Sequence, residues 1–335
     1  MRAYELSDFG IEHLALAERP DPKPAPGQVV VRVRAMSLNY RDRLVINGLY
    51  SRKLRMPLVP CSDAAGEVVS VGEGVSRFHP GNRVMANFMP GWIEGDINEQ
   101  KARTALGAAA GGVLAEQIVI DQQGLVEVPE MLSLEEAATL PCAAVTAWNA
   151  LVVSGKMKAG DTVLLLGTGG VSLFALQFAH IAGALAIITS SSDEKLARAR
   201  ELGAAVGINY NTTPDWEEHV RELTGGRGVD HVVEVGGAQT LAKSVRAARF
   251  GGHIALVGNL TGRAGVDIVP IFMKCLRLSG ILVGSRKMFE DMNRAVAHSG
   301  LRPAVDRVFG FEQAAEALAY LESGEHFGKI VIRAD

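Results

Sequence analysis

The sequence predicts an α/β protein of two domains, one mainly β and one a doubly wound parallel sheet. Three observations carry this. Residues 1–124 hold short alternating runs broken by Gly and Pro, the texture of antiparallel strands. From 125 to 285, apolar strand-length runs alternate with amphipathic stretches, the pattern of a parallel sheet covered on both faces. At 335 residues the chain is long enough for two cores.

The elements follow in order. Residues 28–33 (QVVVRV) and 65–71 (AGEVVSV) have strand alternation, and 83–85 follows a Pro80-Gly81-Asn82 turn. Pro20, Pro22, Pro24 and Pro26 make an extended linker, because proline lacks the amide a helix needs. Residues 92–112, polar and then Ala/Gly-rich, read as a flexible insertion and a candidate lid. Ser133-Leu-Glu-Glu136 is a capping box that opens a helix. A strand at 163–166, a helix at 171–182, a strand at 185–189 and a helix at 193–202 come next. A short strand ends at Tyr210, and Thr213-Pro214 caps the following helix with Pro at its first position. A strand at 231–235, a helix at 238–249 and a strand at 253–257 continue the alternation, and 281–284 reads as the sixth strand. The tail, with one helix at 312–321 and a final strand at 329–333, is expected to fold back on the first domain. The domains are then 1–124 with 286–335, and 125–285.

Composition narrows the partners. Lys plus Arg (34) nearly balance Asp plus Glu (37), a net charge of −3, so neither nucleic acid nor a membrane surface is expected. A hydrophobic fraction of 48% excludes wholesale disorder. Cys61, Cys142 and Cys275 lie far apart, so neither a disulfide framework nor a zinc ribbon is expected. A reducing, cytoplasmic compartment follows. The start, MRAYELSDFG, lacks the apolar core of a secretory signal, and no apolar run reaches membrane-spanning length.

The sharpest local feature is Leu164-Leu-Leu-Gly167-Thr168-Gly169-Gly170-Val171-Ser172. A buried strand enters a Gly turn that opens directly into a helix. Gly167 allows the turn, Gly169 lets the backbone approach a pyrophosphate, and the helix N-terminus supplies amide donors. Ser172 stands where such loops carry a third glycine, and the competing reading is a Gly turn with no ligand. The strand before, the helix after and a second strand about twenty residues on favour nucleotide binding. At that second strand's end, a free ribose 2′-hydroxyl usually meets an acid. Here stand Thr189-Ser190-Ser191-Ser192, then Asp193, Glu194 and Lys195. Small hydroxyls leave room for a 2′-phosphate and Lys195 is placed to pair with it, so NADPH is expected, with NADH the alternative. The plainer reading is a helix cap, with Ser191 and Glu194 as a capping box. The SxxK spacing of Ser192 and Lys195 is taken as chance.

These residues resemble those of the medium-chain dehydrogenase/reductase superfamily, near its zinc-independent quinone-oxidoreductase-like and alcohol-dehydrogenase-like branch. The resemblance runs over Ser37-Leu-Asn39-Tyr40-Arg-Asp42, Cys61-Ser-Asp-Ala-Ala-Gly66-Glu-Val68, Leu140-Pro-Cys-Ala-Ala-Val-Thr146-Ala-Trp148, the Gly167 loop and His326-Phe-Gly-Lys329. It implies a GroES-like catalytic domain, a Rossmann domain, a cleft between them for NAD(P)H and substrate, and dimers or tetramers. It also implies Tyr210 near the adenosine phosphate and Gly258 close to the cofactor; the plainer readings are a sheet-edge core residue and a strand-end turn.

The zinc enzymes of that superfamily hold their metal with Cys, His and Cys. By the match of motifs Asn39 stands at the first ligand, Ser62 at the second and Cys142 at the third. One thiol cannot hold a tetrahedral zinc that needs three protein ligands, so no zinc is expected and Cys142 reads as a buried small residue. Without a Lewis acid, an isolated ketone is a poor hydride acceptor, whereas a quinone or enone spreads the developing charge. Asn39 can donate from its amide, and Tyr40 and Thr146 are candidates for orienting substrate or nicotinamide, although Tyr40 also fits a packing role. The tyrosine that often follows the Asp by two residues in the quinone and enoyl reductases is Leu44 here, so water is the expected proton source. Asp42 and Glu67 invite an acid/base reading, but salt bridging or turn satisfaction is favoured. The expected activity is NADPH-dependent reduction of a small-molecule quinone or conjugated carbonyl. A metal-free alcohol dehydrogenase and a non-catalytic nucleotide-binding protein are the alternatives.

Overall fold

The computed structural model describes residues 1–262 and 265–334, which form two compact units: Met1–Val145 with Gly284–Asp335, and Thr146–Val283. The change of unit thus comes at 145/146, whereas the change of texture comes at 124/125. The Ser133-capped helix Leu134–Ala138 lies in the first unit, its Ser133 hydroxyl accepting from the Glu136 amide at 3.1 Å.

In the first unit, β1 (Arg2–Leu6) pairs antiparallel with β2 (Leu14–Glu18). β3 (Gln28–Ser37), β4 (Asp63–Val71), β5 (Arg83–Ala86), β6 (Gln117–Asp121) and β7 (Leu125–Glu127) build the main sheet. β3 is its spine, antiparallel to β4 and to β6, and its Val29, Val31, Val33 and Met36 enter the core. The insertion at 92–112 is not loose. Trp92 is buried, the Arg41 guanidinium donates to the Leu106 carbonyl at 2.7 Å, and a Cβ on Gly107 would meet the Cys61 carbonyl.

The second unit holds a wholly parallel sheet. Its strands are β8 (Thr162–Leu165), β9 (Leu185–Ser190), β10 (Val206–Asn209), β11 (Val229–Glu234), β12 (Ala248–Leu256) and β13 (Arg277–Gly280), in the order β10-β9-β8-β11-β12-β13. Leu164, Ile187, Val232 and Ile254 are fully buried, as strands covered on both faces require. The strand order reverses beside β8, which places a binding crevice at that strand's carboxyl end.

Several expectations need correction. The sixth strand is 277–280, not 281–284. An edge strand is half-exposed and need not be apolar, and Val283 has φ +52°, which an extended strand does not allow. Pro214 is not in the next helix, which runs Trp216–Leu223 behind Asp215. The helix from Ala238 ends at Ala247, because Ala248 is already extended and opens β12. The tail contains a second helix, Arg286–Ser299, capped by the Ser285 hydroxyl and ended by Gly300 at φ +70°. Its buried stripe is Phe289, Met292, Asn293 and Val296. The chain closes with β14 (Val305–Gly310), helix Ala314–Ser323 and β15 (Lys329–Arg333), where β15 pairs antiparallel with β3.

Candidate functional site

The Gly loop of the second unit is built from hydroxyls as much as from glycines. Gly167 turns at φ +73°, and its amide donates to the Thr189 hydroxyl at 3.2 Å. Ser172, in place of the third glycine, donates to the Leu166 carbonyl at 2.7 Å and so closes the turn on its own strand. Helix Gly170–Ile181 opens behind Gly169 with no side chain capping its first turn. A Cβ built on Gly167 or Gly169 meets nothing within 4 Å. Open space before an uncapped helix N-terminus fits a dinucleotide pyrophosphate.

The ends of β9 and β10 meet beside this loop. The Ser190 hydroxyl lies 3.5 Å from that of Thr168 and accepts from the Ser192 amide at 3.3 Å. The cap of helix Asp193–Glu201 is Ser192, which accepts from the Lys195 amide, and not Ser191 with Glu194. Asp193 is engaged by the Asn209 amide at 2.9 Å. Tyr210 follows the end of β10, donates its backbone amide to Ser190, and leaves its side chain 40% exposed. Gly258 follows β12; a Cβ there would lie 2.6 Å from the Val235 carbonyl, so glycine is required by the backbone alone. Sequence reasoning missed Glu234, a fully buried carboxylate at the end of β11. It accepts from the amides of Gly236 and Gly237 and the hydroxyls of Thr240 and Ser244, fixing the turn before helix Ala238–Ala247.

The first unit gathers a second polar cluster. Asp42, in the first turn of helix Tyr40–Ile46, accepts from the Asn39 backbone N–H at 2.8 Å. Asp63 accepts from the Ser62 hydroxyl at 2.7 Å and from the Cys142 amide at 3.0 Å. Lys329, buried at the start of β15, donates to the Leu38 carbonyl and, at 2.6 Å, to Asn39 Oδ1. Asn39 Nδ2 is buried, near enough to Asp63 to favour its charged form but outside hydrogen-bond geometry. Burial pushes the Asp42 carboxyl up to about 6 against the opposing Arg41 charge. Burial likewise raises Asp63, opposed first by the Lys329 ammonium. Both thiols, Cys61 and Cys142, are pushed up by burial and stay protonated.

Of the expected catalytic residues, Asn39 lies in this cluster. Tyr40 is 37% exposed, with its hydroxyl accepting from Arg43 at 3.2 Å, and Arg43 in turn holds Glu322. Thr146 is buried and belongs to the second unit. Glu67 pairs with Arg34 at 3.2 Å, as the salt-bridge reading has it. At the three positions that the motif match sets against the zinc ligands, an Asn, a Ser and one Cys are a poor donor set for zinc. Among the described residues, no three His, Cys, Asp or Glu side chains come together to hold a metal.

Residues 25–130 match the alcohol dehydrogenase GroES-like domain, and residues 170–298 the zinc-binding dehydrogenase domain. A zinc-type alcohol dehydrogenase-like protein of Schizosaccharomyces pombe is 43% identical over 97% of this chain and 96% of its own length. The chain belongs to the medium-chain dehydrogenase/reductase superfamily. Within that superfamily, the crystal structure of an NAD-dependent alcohol dehydrogenase is 36% identical, with a TM-score of 0.92 and full coverage of both chains. A mycobacterial protein solved with NADPH is 26% identical, with a TM-score of 0.84 over 99% of this chain and all of that one. Other superfamily members similar to this chain are named as alcohol dehydrogenases and quinone oxidoreductases. The protein is an NAD(P)H-dependent oxidoreductase of the superfamily, with a GroES-like and a Rossmann domain.

Proposed function

We propose that the protein is an NADPH-dependent, zinc-independent reductase of quinones or other conjugated carbonyls. The observation that carries the reading is the Asn39 side chain. It stands at the first ligand position of the zinc branch, its oxygen is held by Lys329, and its donor end has no hydrogen-bond partner. An amide N–H in a low-dielectric site is a useful donor to a charge already spread by conjugation. Bound nicotinamide supplies hydride. Asn39 donates to the acceptor oxygen, Thr146 helps orient the acceptor, and water returns the proton. The Tyr40 hydroxyl is taken by Arg43, so Tyr40 is given no part in proton transfer.

Gly167, Thr168, Gly169, Gly170 and Val171 hold the pyrophosphate in this reading, and Gly258 lies against the cofactor. Ser190, Lys195 and Tyr210 face the 2′-phosphate. The test is NADPH oxidation by the purified protein with a quinone, an enone and a saturated aldehyde. Turnover with the first two alone is expected. Turnover with the aldehyde alone would replace this reading by a metal-free alcohol dehydrogenase, which the names of the yeast and NAD-dependent relatives favour.

We also infer a homodimer or homotetramer in the cytoplasm. β13 ends the parallel sheet, and Phe250 on the neighbouring β12, with Ile268, Phe272 and Met273 on the segment leading into β13, are each at least 60% exposed. A second copy of the same edge offers the self-complementary cover that two-fold symmetry needs. No helix among the described residues is long and apolar enough to cross a membrane, and the three cysteines form no disulfide.

A further inference from the structure

The register of the first unit's sheet brings Lys329 to Asn39. β15 runs antiparallel to β3 with Val331 opposite Ser37, and the Leu38 amide donates to the Ile330 carbonyl at 3.0 Å. Continued by two residues, that register sets Lys329 across from Asn39. Gly328, at φ +82°, makes the approach possible; a Cβ there would lie 2.4 Å from the Ala304 carbonyl. Lys329 is 3% exposed.

A buried ammonium is costly unless its donors are matched. This one gives two of its three N–H groups to the Leu38 carbonyl and Asn39 Oδ1, while its charge also bears on Asp63 and Asp42. An ammonium has donors only, so it selects the oxygen end of a neighbouring amide. The two ends of an amide are nearly the same shape, and hydrogen bonding alone decides which way it faces. With Oδ1 held by Lys329, Nδ2 is the end that remains; it lies near the Asp63 carboxylate but outside hydrogen-bond geometry, so its N–H groups are not taken.

We propose that Lys329 is a positioning residue that fixes the Asn39 amide with its donor available to the acceptor oxygen. The proposal rests on the reading of Asn39 as that donor. Without Lys329 the Asn39 oxygen loses its donor and only the weaker pull of Asp63 holds the amide, and in a turned amide the carbonyl oxygen opposes the charge it should stabilise.

The test is a double-mutant cycle on the full chain with NADPH and 1,4-benzoquinone. Lys329→Met is expected to lower kcat about 10- to 100-fold, the range below the loss of a whole oxyanion donor. KM for the quinone and Kd for NADPH are expected to stay within about twofold, and the melting temperature is recorded for each variant. In an Asn39→Ala background, Lys329→Met is expected to add less than about a twofold loss, because it acts through Asn39. An equal loss in both backgrounds, or none in either, overturns the positioning role. If Asn39→Ala alone leaves kcat unchanged, the donor reading itself fails, and with it the inference. Should Lys329→Met not fold, Lys329→Gln takes its place in the same cycle. A glutamine presents donor and acceptor alike and so no longer selects the oxygen end of Asn39. A kcat loss in the wild-type background that falls below about twofold in the Asn39→Ala background is expected, and an equal loss in both, or none in either, overturns the positioning role.

Discussion

The hydroxyls of Thr168 and Ser190 lie 3.5 Å apart, joining the turn after β8 to the end of β9 across 22 residues of chain. With the Gly167 amide on Thr189, this makes the strand end and the Gly loop one hydrogen-bonded surface. The position where an acid would grip a ribose hydroxyl is taken by a small neutral group, and the next carboxylate, Asp193, is held by Asn209.

Cofactor choice follows from that surface. NADPH is expected to bind more tightly than NADH, with Lys195 and Tyr210 beside the 2′-phosphate. A hydrogen bond to a charged group contributes roughly 1.5–3 kcal/mol, or about 10- to 150-fold in affinity. Ser190→Asp and Lys195→Ala, each titrated with both cofactors, should narrow or reverse the preference. If neither weakens NADPH relative to NADH, phosphate recognition lies elsewhere.

Gly169 tests the loop itself. The space around it is open, so Gly169→Val should fold normally yet place its side chain where the pyrophosphate must sit. Loss of NADPH binding by fluorescence titration, at an unchanged melting temperature, is the expected outcome. Normal binding would reduce 167–172 to an ordinary turn.

Much of this was legible in the sequence, and what was not has physical causes. The apolar runs that became β8, β9, β11 and β12 are buried on both faces, so their composition betrays them. β13, Arg277–Gly280, is an edge strand and carries no such mark. Helix Arg286–Ser299 was hidden because its buried stripe includes Asn293, although Ser285 and Gly300 were readable caps. Asn39 could be picked out by motif, but its partner Lys329 lies 290 residues away. Only strand register brings them together, and no local pattern reports it. Glu234, closing an apolar strand, was equally silent until its four donors were seen.

The metal question has a direct answer in elemental analysis. With Asn39 and Ser62 at two of the three ligand positions, the purified protein should carry no stoichiometric zinc and keep its activity after chelation. One zinc per chain, with activity lost on its removal, would contradict this.

The exposed edge of the parallel sheet makes a prediction about assembly. Phe272→Glu together with Met273→Glu should shift the protein toward monomer by light scattering, since like charges would then face each other across a two-fold axis. An unchanged mass would place the interface elsewhere.

Asp42 gives the molecule a pH signature. The carboxyl is fully buried, and burial outweighs the nearby Arg41 charge, raising its pKa from 3.8 to about 6 in the folded chain. Between those two values the folded state binds more protons than the unfolded state, so this group's contribution to stability falls as pH rises. It is fully present only below about pH 3.8 and is lost as pH rises through about 6. Asp42→Asn keeps an oxygen for the Asn39 amide and has nothing to titrate. The stability of wild type relative to Asp42→Asn should therefore decline by on the order of 1–3 kcal/mol from pH 4 to pH 7, then stay level. Asp63, whose pKa is also raised, is present in both proteins and largely cancels in the difference. Denaturant unfolding of the pair at four or five pH values measures it. A difference that does not move with pH, or grows as pH rises, would mean that Asp42 is ionised in the fold.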